Sequence, residues 1–363
     1  MSRYFYYPVI LTMVINTIFF VPRLLLEERF DGAITAMMIC IPLGTLLAFL
    51  FTKGMSRFPG LGLPEILERF LTSWLRVPLQ IFLGIMWFIA GTVILAAFSL
   101  IAVRVISPDI PRVLLLLCSI LVTCWSSTRK QLAVVNVMEI GILLSLPFIA
   151  FITFKALSNE LMDWDAVRSM SDYMLRPPSW QSMSAASYIF TGYLNLALTN
   201  RLYKDTRVKH LWLIPVMGTI ICFTSFFVPI GFHGTQAVNE YIFVWFSTAD
   251  SIIMHFGFIE RVLFVFLFMY IGLALLFTTL TWNIGLTLIR SCFRKRLGQN
   301  KKRIRIFNWA VSLAVGAGSL LYGSVINEKE LVNTAAYWFN LRLPVEIFLV
   351  GLVAFLGWRS KHA

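Results

Sequence analysis

The sequence predicts an all-α integral membrane protein with about ten transmembrane helices in a five-plus-five, inverted-repeat, transporter-like fold. Hydrophobic residues make up 58% of the 363 residues, against 13% charged residues, and the mean hydropathy is +0.79. The apolar stretches, at about 17 to 25 residues, are long enough to cross a bilayer as helices. They are apolar on every face and lack the alternation of barrel strands, which favours helices over strands.

Each predicted span is an apolar stretch that ends at charged residues or at a Pro/Gly-rich break. The third and eighth spans are long enough to tilt in the membrane, and the fourth is short for a full crossing. The ten spans are residues 5–21, 33–52, 77–103, 111–126, 133–154, 183–200, 211–231, 260–289, 306–325 and 341–358.

The longest polar break, residues 155–182, separates a first repeat (5–154) from a second repeat (183–358) within one membrane domain, 1–363. Each repeat holds five predicted spans, so the second enters the membrane in the opposite sense. This is the topology of inverted-repeat transporters, in which the first helix of each half is broken near the midplane and binds the ligand. The sequence therefore predicts breaks in spans one and six.

The net charge of +13 comes from 31 Lys and Arg residues distributed unevenly between the two sides of the predicted membrane. Twenty-one of them belong to the N-terminus, the even-numbered connections and the C-terminus, and ten to the odd-numbered connections. Because basic residues near membrane crossings stay in the cytoplasm, both termini are predicted to be cytoplasmic. The densest basic cluster, residues 290–305, is expected to meet anionic lipid, and without interleaved stacking residues it does not indicate nucleic-acid binding.

Motifs for catalysis, metals and disulfides are missing from the sequence. It holds no CxxC or HExxH motif, its four His residues are scattered, and four of its five Cys residues fall within apolar spans. We therefore expect no metal, no cofactor and no extracellular disulfide framework. No nucleophile–base pair is recognisable, so an enzyme is not expected. Pro22 and Arg23 follow span one where a cleavage site would need small residues, which predicts a retained helix.

Polar residues inside spans one and six indicate the ligand site, and an aromatic pair in span three, Trp87 and Phe88, is placed to form its wall. Their alternative role is ordinary helix packing, since small and hydroxylated side chains let membrane helices approach closely. Span one also lacks the glycine expected at an unwound point. The predicted ligand-binding residues are Asn16, Thr17, Trp87, Thr191, Gly192, Tyr193 and Asn195.

Charged residues at membrane depth are costly and usually face an interior cavity. Glu139 lies about two turns into span five, where it is either a proton-titrating or helix-bridging group or a structural carboxyl near the interface. Glu260 and Arg261 begin span eight and are expected to form an ion pair that holds this helix. Glu346, near the outer end of span ten, is expected to be interfacial.

The polar connection between spans two and three contains an amphipathic segment, residues 57–71. Leu63, Ile66, Leu67 and Phe70 share one helical face, and the charged residues lie on the others. We expect a short helix on the cytoplasmic surface.

Five segments together resemble the spore germination permease family, the membrane B subunits of nutrient germinant receptors within the amino acid, polyamine and organocation transporter superfamily. They are FFVPRLL, DGAIT, PGLGLPEILERFL, NVMEIGILLSLP and FIERVLFVFLF, in chain order. The resemblance implies a ten-helix inverted repeat in the spore inner membrane, with A and C subunits as partners. It also implies an amino acid or similar nutrient at the broken helices, an acidic residue at Glu139, and a charged pair at Glu260 and Arg261.

Three functions remain open from the sequence. The first is a receptor subunit that binds a small nutrient near the midplane and signals germination. The second is a proton-coupled amino acid transporter, with Glu139 as the titrating group. The third is a structural subunit without a ligand, which fits departures from the family pattern such as Asn16 and Thr17 at the position of the usual glycine-containing break.

Overall fold

The computed structural model describes residues 2–105, 109–202, 208–253 and 261–360, except for the side chains of residues 2, 3, 16 and 17. Within these ranges the backbone is predominantly helical, and its extended pairing is an isolated bridge between Ile253 and Arg261. Short 3₁₀ helices cover Met170–Tyr173, Thr191–Asn195, Asn200–Leu202 and Ala237–Glu240. The α-helices are α1 Ser2–Ile18, α2 Phe20–Glu27, α3 Ala33–Met55, α4 Leu63–Phe70, α5 Ser73–Val105, α6 Arg112–Ser127, α7 Gln131–Leu157, α8 Trp164–Ser169, α9 Trp180–Tyr188, α10 Leu196–Thr199, α11 Leu213–His233, α12 Val244–Ser251, α13 Val262–Cys292, α14 Arg294–Leu297, α15 Lys301–Val325 and α16 Glu328–Arg359.

Seven of these helices are long and apolar enough to cross a membrane: α3, α5, α7, α11, α13, α15 and α16. They correspond to seven of the ten predicted spans. The first predicted span is a bent pair, Tyr4–Ile15 and Phe20–Glu27, that counts as an eighth crossing if taken together. The fourth is the shorter apolar helix α6, and the sixth is divided among α9, a 3₁₀ segment and α10. The all-α membrane class is confirmed, whereas ten crossings and the inverted repeat stay predictions.

The membrane helices differ in how much of their surface the protein itself covers. In the most apolar window, 67% of α5 and 56% of α13 is buried, against 17% of α7 and 22% of α15. Large apolar side chains such as Phe268 and Leu321 are mostly exposed. An exposed apolar surface of this extent is expected where lipid is the solvent. Thus α5 and α13 form the centre, and α7 and α15 lie at the lipid-facing edge.

Small residues allow α5 and α13 to pack closely along their length. A side-chain carbon added at Gly91 would lie 2.6 Å from Thr281 Oγ1, and one added at Gly285 would lie 2.8 Å from the carbonyl oxygen of Gly84. Such contacts are too short for any side chain larger than hydrogen. Close approach at small residues is the usual way in which membrane helices gain packing energy without a hydrophobic effect.

Helix α16 begins well before residue 341, the predicted start of the tenth span. Asn327 caps its first turn: the side chain accepts from the Glu330 amide at 2.8 Å, while the Glu330 carboxylate accepts from the Asn327 amide at 3.2 Å. This reciprocal capping box fixes the start of the helix. The earlier start places Arg342 and Glu346 in the middle of α16.

Candidate functional site

The first predicted break and the sixth predicted span meet in the interior. The helices Tyr4–Ile15 and Phe20–Glu27 meet at 50°, and residues Thr191–Asn195 form a 3₁₀ segment that packs on α1. Gly192 permits this contact, because a side-chain carbon there would lie 2.5 Å from Val9 Cα and 2.9 Å from the Val9 carbonyl oxygen. The 3₁₀ segment therefore passes directly against the backbone of the first helix.

A cavity of about 60 Å³ lies beside this contact, between α1, the 3₁₀ segment, α5, α13 and α16. Its surface is mostly apolar, and the polar and charged residues in its lining are Thr12, Thr191, Asn195, Thr281, Arg342 and Glu346. Asn195 Nδ2 donates to the Gly192 carbonyl at 2.8 Å and lies 3.5 Å from Thr12 Oγ1. The full lining is Thr12, Leu83, Met86, Trp87, Ala90, Tyr188, Thr191, Leu194, Asn195, Phe277, Thr281, Trp338, Arg342, Val345, Glu346 and Leu349.

A buried ion pair on α16 completes the cavity wall. Arg342 donates through Nη1 to Glu346 Oε2, one helical turn away, and the two side chains are 5% and 2% exposed. Arg342 Nη2 also donates to the Ser184 carbonyl at 2.6 Å and to Ser187 Oγ at 2.8 Å. Its guanidinium carbon lies 5.0 Å from the ring centroid of Tyr188. The pair thus joins α16 to α9.

The second oxygen of Glu346 has its own partner. Tyr193 is fully buried, and its hydroxyl donates to Glu346 Oε1 at 2.5 Å. Both carboxylate oxygens therefore accept hydrogen bonds, whereas Arg342 Nε is buried without a partner among the described residues. Buried charges are tolerated when they are paired and hydrogen-bonded in this way. The cavity wall carries two opposite charges that offset each other.

Three of the predicted ligand-binding residues, Trp87, Thr191 and Asn195, line the cavity. Gly192 and Tyr193 are not among the lining residues: Gly192 packs against α1, and Tyr193 donates a hydrogen bond to Glu346. The side chains of Asn16 and Thr17 lie outside the described residues. Phe88 is not among the lining residues; it packs on Trp282 with ring centroids 6.0 Å apart.

The charges predicted for coupling lie away from this cavity or outside the described part of the chain. Glu139 is half-buried on α7 and is not among the lining residues. Glu260 falls outside the described residues, so its pairing with Arg261 stays a prediction. Arg261 is mostly exposed, with Nη1 3.8 Å from Asp250 Oδ1. A role for these three residues in coupling also stays a prediction.

The expectation that Glu346 is interfacial is wrong. Its side chain is 2% exposed, because it lies inside the protein where Tyr193 and Arg342 donate to its carboxylate. Arg342, Tyr188 and Trp338 were also absent from the predicted site, although all three line the cavity. One signal was available in the sequence: Arg342 and Glu346 are four residues apart, the spacing at which opposite charges pair on a helix.

Within the described residues, no group of three or more His, Cys, Asp or Glu side chains is placed to hold a metal ion. The arrangement offers instead a small, mainly apolar space with aromatic walls and a few hydroxyl, amide and paired charged groups in its lining. Such a site is suited to binding a small polar molecule.

The fold and this cavity define a class: an all-α, multi-pass membrane protein with a small cavity between its central helices. Comparison with family models then gives the family. The model for spore germination proteins of the spore permease type matches residues 4–315, which is most of the chain. The protein therefore belongs to the spore germination permease family, as the five sequence segments predicted. A comparison with curated proteins found no match.

Proposed function

We propose that this protein is the integral-membrane subunit of a spore nutrient germinant receptor and that its cavity binds an amino acid or a similarly small nutrient. The observation that supports this most strongly is the cavity itself, which lies where the bent first helix pair approaches the 3₁₀ segment Thr191–Asn195. Family membership supplies the germination context.

The chemistry of the wall favours a small zwitterion as the nutrient. Arg342 and Glu346 contribute opposite charges that offset each other, so a ligand of zero net charge adds no uncompensated charge to a buried site. The volume of about 60 Å³ is less than half of the roughly 150 Å³ that encloses benzene in an engineered cavity. A larger ligand would require movement of side chains such as Trp87 and Met86.

Signalling follows if the nutrient binds one arrangement of the cavity elements better than another. The lining residues come from α1, α5, α13, α16 and the segment around Thr191, so a ligand that contacts all of them favours one relative position of these elements. In the proposal, this change passes to the A and C receptor subunits. The proposed location is the spore inner membrane, among its lipids, with both termini in the cytoplasm.

The binding claim is tested by thermal stability of the purified protein with a panel of amino acids and nucleosides. Ala90 lines the cavity and Ala133 faces outward on α7, which gives a matched pair of variants, Ala90→Leu and Ala133→Leu. We expect at least one compound to stabilise the wild type and Ala133→Leu but not Ala90→Leu, because the added side chain occupies the cavity. A compound that stabilises all three equally would place its binding elsewhere.

Gly192→Trp is less suitable as a blocked-cavity variant. The added side chain would meet the backbone of Val9 and separate the 3₁₀ segment from α1. Loss of binding would then not distinguish an occupied cavity from a disrupted fold.

A second candidate is proton-coupled amino acid transport, which the buried carboxylate in the cavity wall favours. Carboxylates in membrane interiors are recurrent parts of proton relays. This observation points to Glu346 in the cavity rather than to Glu139 on α7. Uptake of a stabilising amino acid into proteoliposomes under a proton gradient, lost in Glu346→Gln, would support transport. Absence of flux with retained binding would favour the receptor, and absence of binding would favour a structural subunit.

A further inference from the structure

The amphipathic helix α4 contacts the far ends of three elements that line the cavity. Its buried residues include Leu63, Ile66 and Leu67, three of the four apolar residues that the sequence places on one helical face. Its two carboxylates, Glu65 and Glu68, make ion pairs with neighbouring elements. This network is independent of the ligand site and has no part in the proposed binding chemistry.

The strongest contact joins α4 to the chain that continues from the cavity segment. Glu65 receives two hydrogen bonds of 2.8 Å from Arg201, one from Nε and one from Nη2, and a third of 3.0 Å from the Gly62 amide. Arg201 is six residues beyond Asn195 of the cavity wall, or about 9 to 12 Å of helical rise. Bidentate Arg–carboxylate pairs of this kind fix geometry as well as charge.

Asn200 strengthens the same junction. Its side-chain Nδ2 donates to the carbonyl oxygens of Phe58 at 2.8 Å and Leu61 at 2.7 Å, in the turn before α4. Asn200 is fully buried and joins both carbonyl groups, of which that of Phe58 also accepts from the Leu61 amide at 3.2 Å. Any displacement of the segment 200–202 must break both sets of contacts.

The opposite side of α4 holds α5 and the end of α13. Glu68 pairs with Arg76 at 3.1 Å and with Arg294 at 3.3 Å. Gln80 Nε2 lies 3.4 Å from the Pro64 carbonyl, and its Oε1 accepts from Ser291 Oγ at 3.0 Å. Gln80 lies one turn from Leu83 of the cavity wall. The helix α4 therefore joins α5, α14 and the cavity segment, and α5 is in turn hydrogen-bonded to α13 through Gln80 and Ser291.

We propose that α4, through Glu65 and its partner Arg201 together with Asn200, forms a latch that closes the protein on the α4 side of the cavity. While the α4 latch is engaged, the cavity segment cannot separate from α5 and α13 on the α4 side of the protein. A ligand in the cavity therefore cannot leave on that side. Opening this face requires release of the Glu65–Arg201 pair. The α4 latch thus controls whether binding leads to passage, and its existence does not depend on the identity of the nutrient.

The electrostatics around Glu65 make the latch sensitive to one charge. Arg290, near the end of α13, lies close enough to interact electrostatically with both Glu65 and Arg201. One carboxylate therefore offsets two guanidinium groups. In Glu65→Gln the two cations lose this compensation and repel each other, which favours separation of Arg201 from α13.

The native cysteines report the state of the latch without added probes. Cys292 is half-buried, and its Sγ lies 3.3 Å from Gln80 Oε1 beside α4. Cys40, Cys124 and Cys222 are fully buried elsewhere and report global unfolding. The experiment measures the labelling rate of each cysteine by a hydrophilic maleimide, resolved by peptide mass spectrometry, on the full chain in lipid nanodiscs that leave both faces accessible.

We expect Glu65→Gln to raise the labelling rate of Cys292 about tenfold, the factor that one lost charge-assisted hydrogen bond imposes on an opening equilibrium. The buried cysteines should stay protected. The charge reversal Glu65→Arg with Arg201→Glu should restore protection, and Arg201→Lys should be intermediate. Asp165→Asn, which removes an exposed pair with side chains 79% and 89% exposed, should leave every rate unchanged.

Two results would overturn the latch. One is a Cys292 rate that is unchanged in both Glu65→Gln and Arg201→Lys. The other is a parallel rise at all four cysteines in both variants, because α4 would then support the fold as a whole.

Discussion

The buried pair Arg342–Glu346 gives the most quantitative prediction. Replacing Arg342 with Met leaves a shorter, uncharged side chain and removes three donated hydrogen bonds, to Glu346, Ser184 and Ser187. Glu346 would keep the Tyr193 hydroxyl as a partner but lose its countercharge. Removal of one member of a buried ion pair costs about 3 to 5 kcal/mol, because the remaining charge is uncompensated. We therefore expect a large loss of stability.

The double variant separates the charge from the packing. When Arg342→Met is combined with Glu346→Leu, no uncompensated charge remains, and such replacements of buried pairs are often neutral. The double variant should therefore be more stable than either single variant. The matched control is Arg168→Met, whose pair with Asp165 is largely exposed and should contribute at most about 1 kcal/mol.

The assay is thermal unfolding in detergent, followed by reaction of a fluorogenic thiol reagent with cysteines that are buried in the fold. Cys40, Cys124 and Cys222 are 0% exposed, so they become reactive only when the helices separate. The reasoning is refuted if Arg342→Met lowers the midpoint no more than Arg168→Met. It is also refuted if the double variant loses the full sum of the two single effects, since the residues would then not be coupled.

Three further predictions concern packing, the loop before α4 and orientation. Gly192→Ala should lower the free energy of unfolding by about 1 to 3 kcal/mol, because its side-chain carbon meets the backbone of Val9. Gly351→Ala, which has open space around it, should leave the unfolding midpoint unchanged. Asn200→Ala should cost about 1 to 3 kcal/mol because it removes the hydrogen bonds from a buried amide to the Phe58 and Leu61 carbonyls, and the exposed Asn333→Ala should be neutral; chemical denaturation compares the two. An epitope at the N-terminus should be accessible to antibody only after the cytoplasmic side is opened, and staining of intact cells would contradict the predicted orientation.

The sequence predicts most of the membrane helices because hydropathy depends on composition alone. It was sufficient for α3, α5, α7, α11, α13 and α15, whose apolar runs match the predicted spans. It fails for the start of α16, where Arg342 interrupts the apolar run but is 5% exposed. Its charge is offset by Glu346 and its donors by Ser184 and Ser187. These compensating partners are recognisable only in three dimensions.

The candidate site was predicted in part for the same reason. Thr191, Asn195 and Trp87 were recognisable as polar or aromatic residues at the level of the expected breaks. Thr12 and Tyr188 carry no such signal, since a hydroxyl in a membrane helix can bond to its own backbone, as Thr12 Oγ1 does to the Pro8 carbonyl at 2.8 Å. Which of these residues face a common space depends on helix rotation. Periodicity alone did not fix that rotation.

The central claim, that nutrient binding in the cavity triggers germination, is tested most directly by dose–response curves of germination. Spores would carry wild type, Ala90→Leu or Ala133→Leu as their only copy, with protein amounts matched, and germination would be followed as loss of refractility against nutrient concentration. The account predicts that Ala90→Leu shifts the half-maximal concentration upward, whereas Ala133→Leu leaves it at the wild-type value. Identical curves for all three would contradict a nutrient site in this cavity.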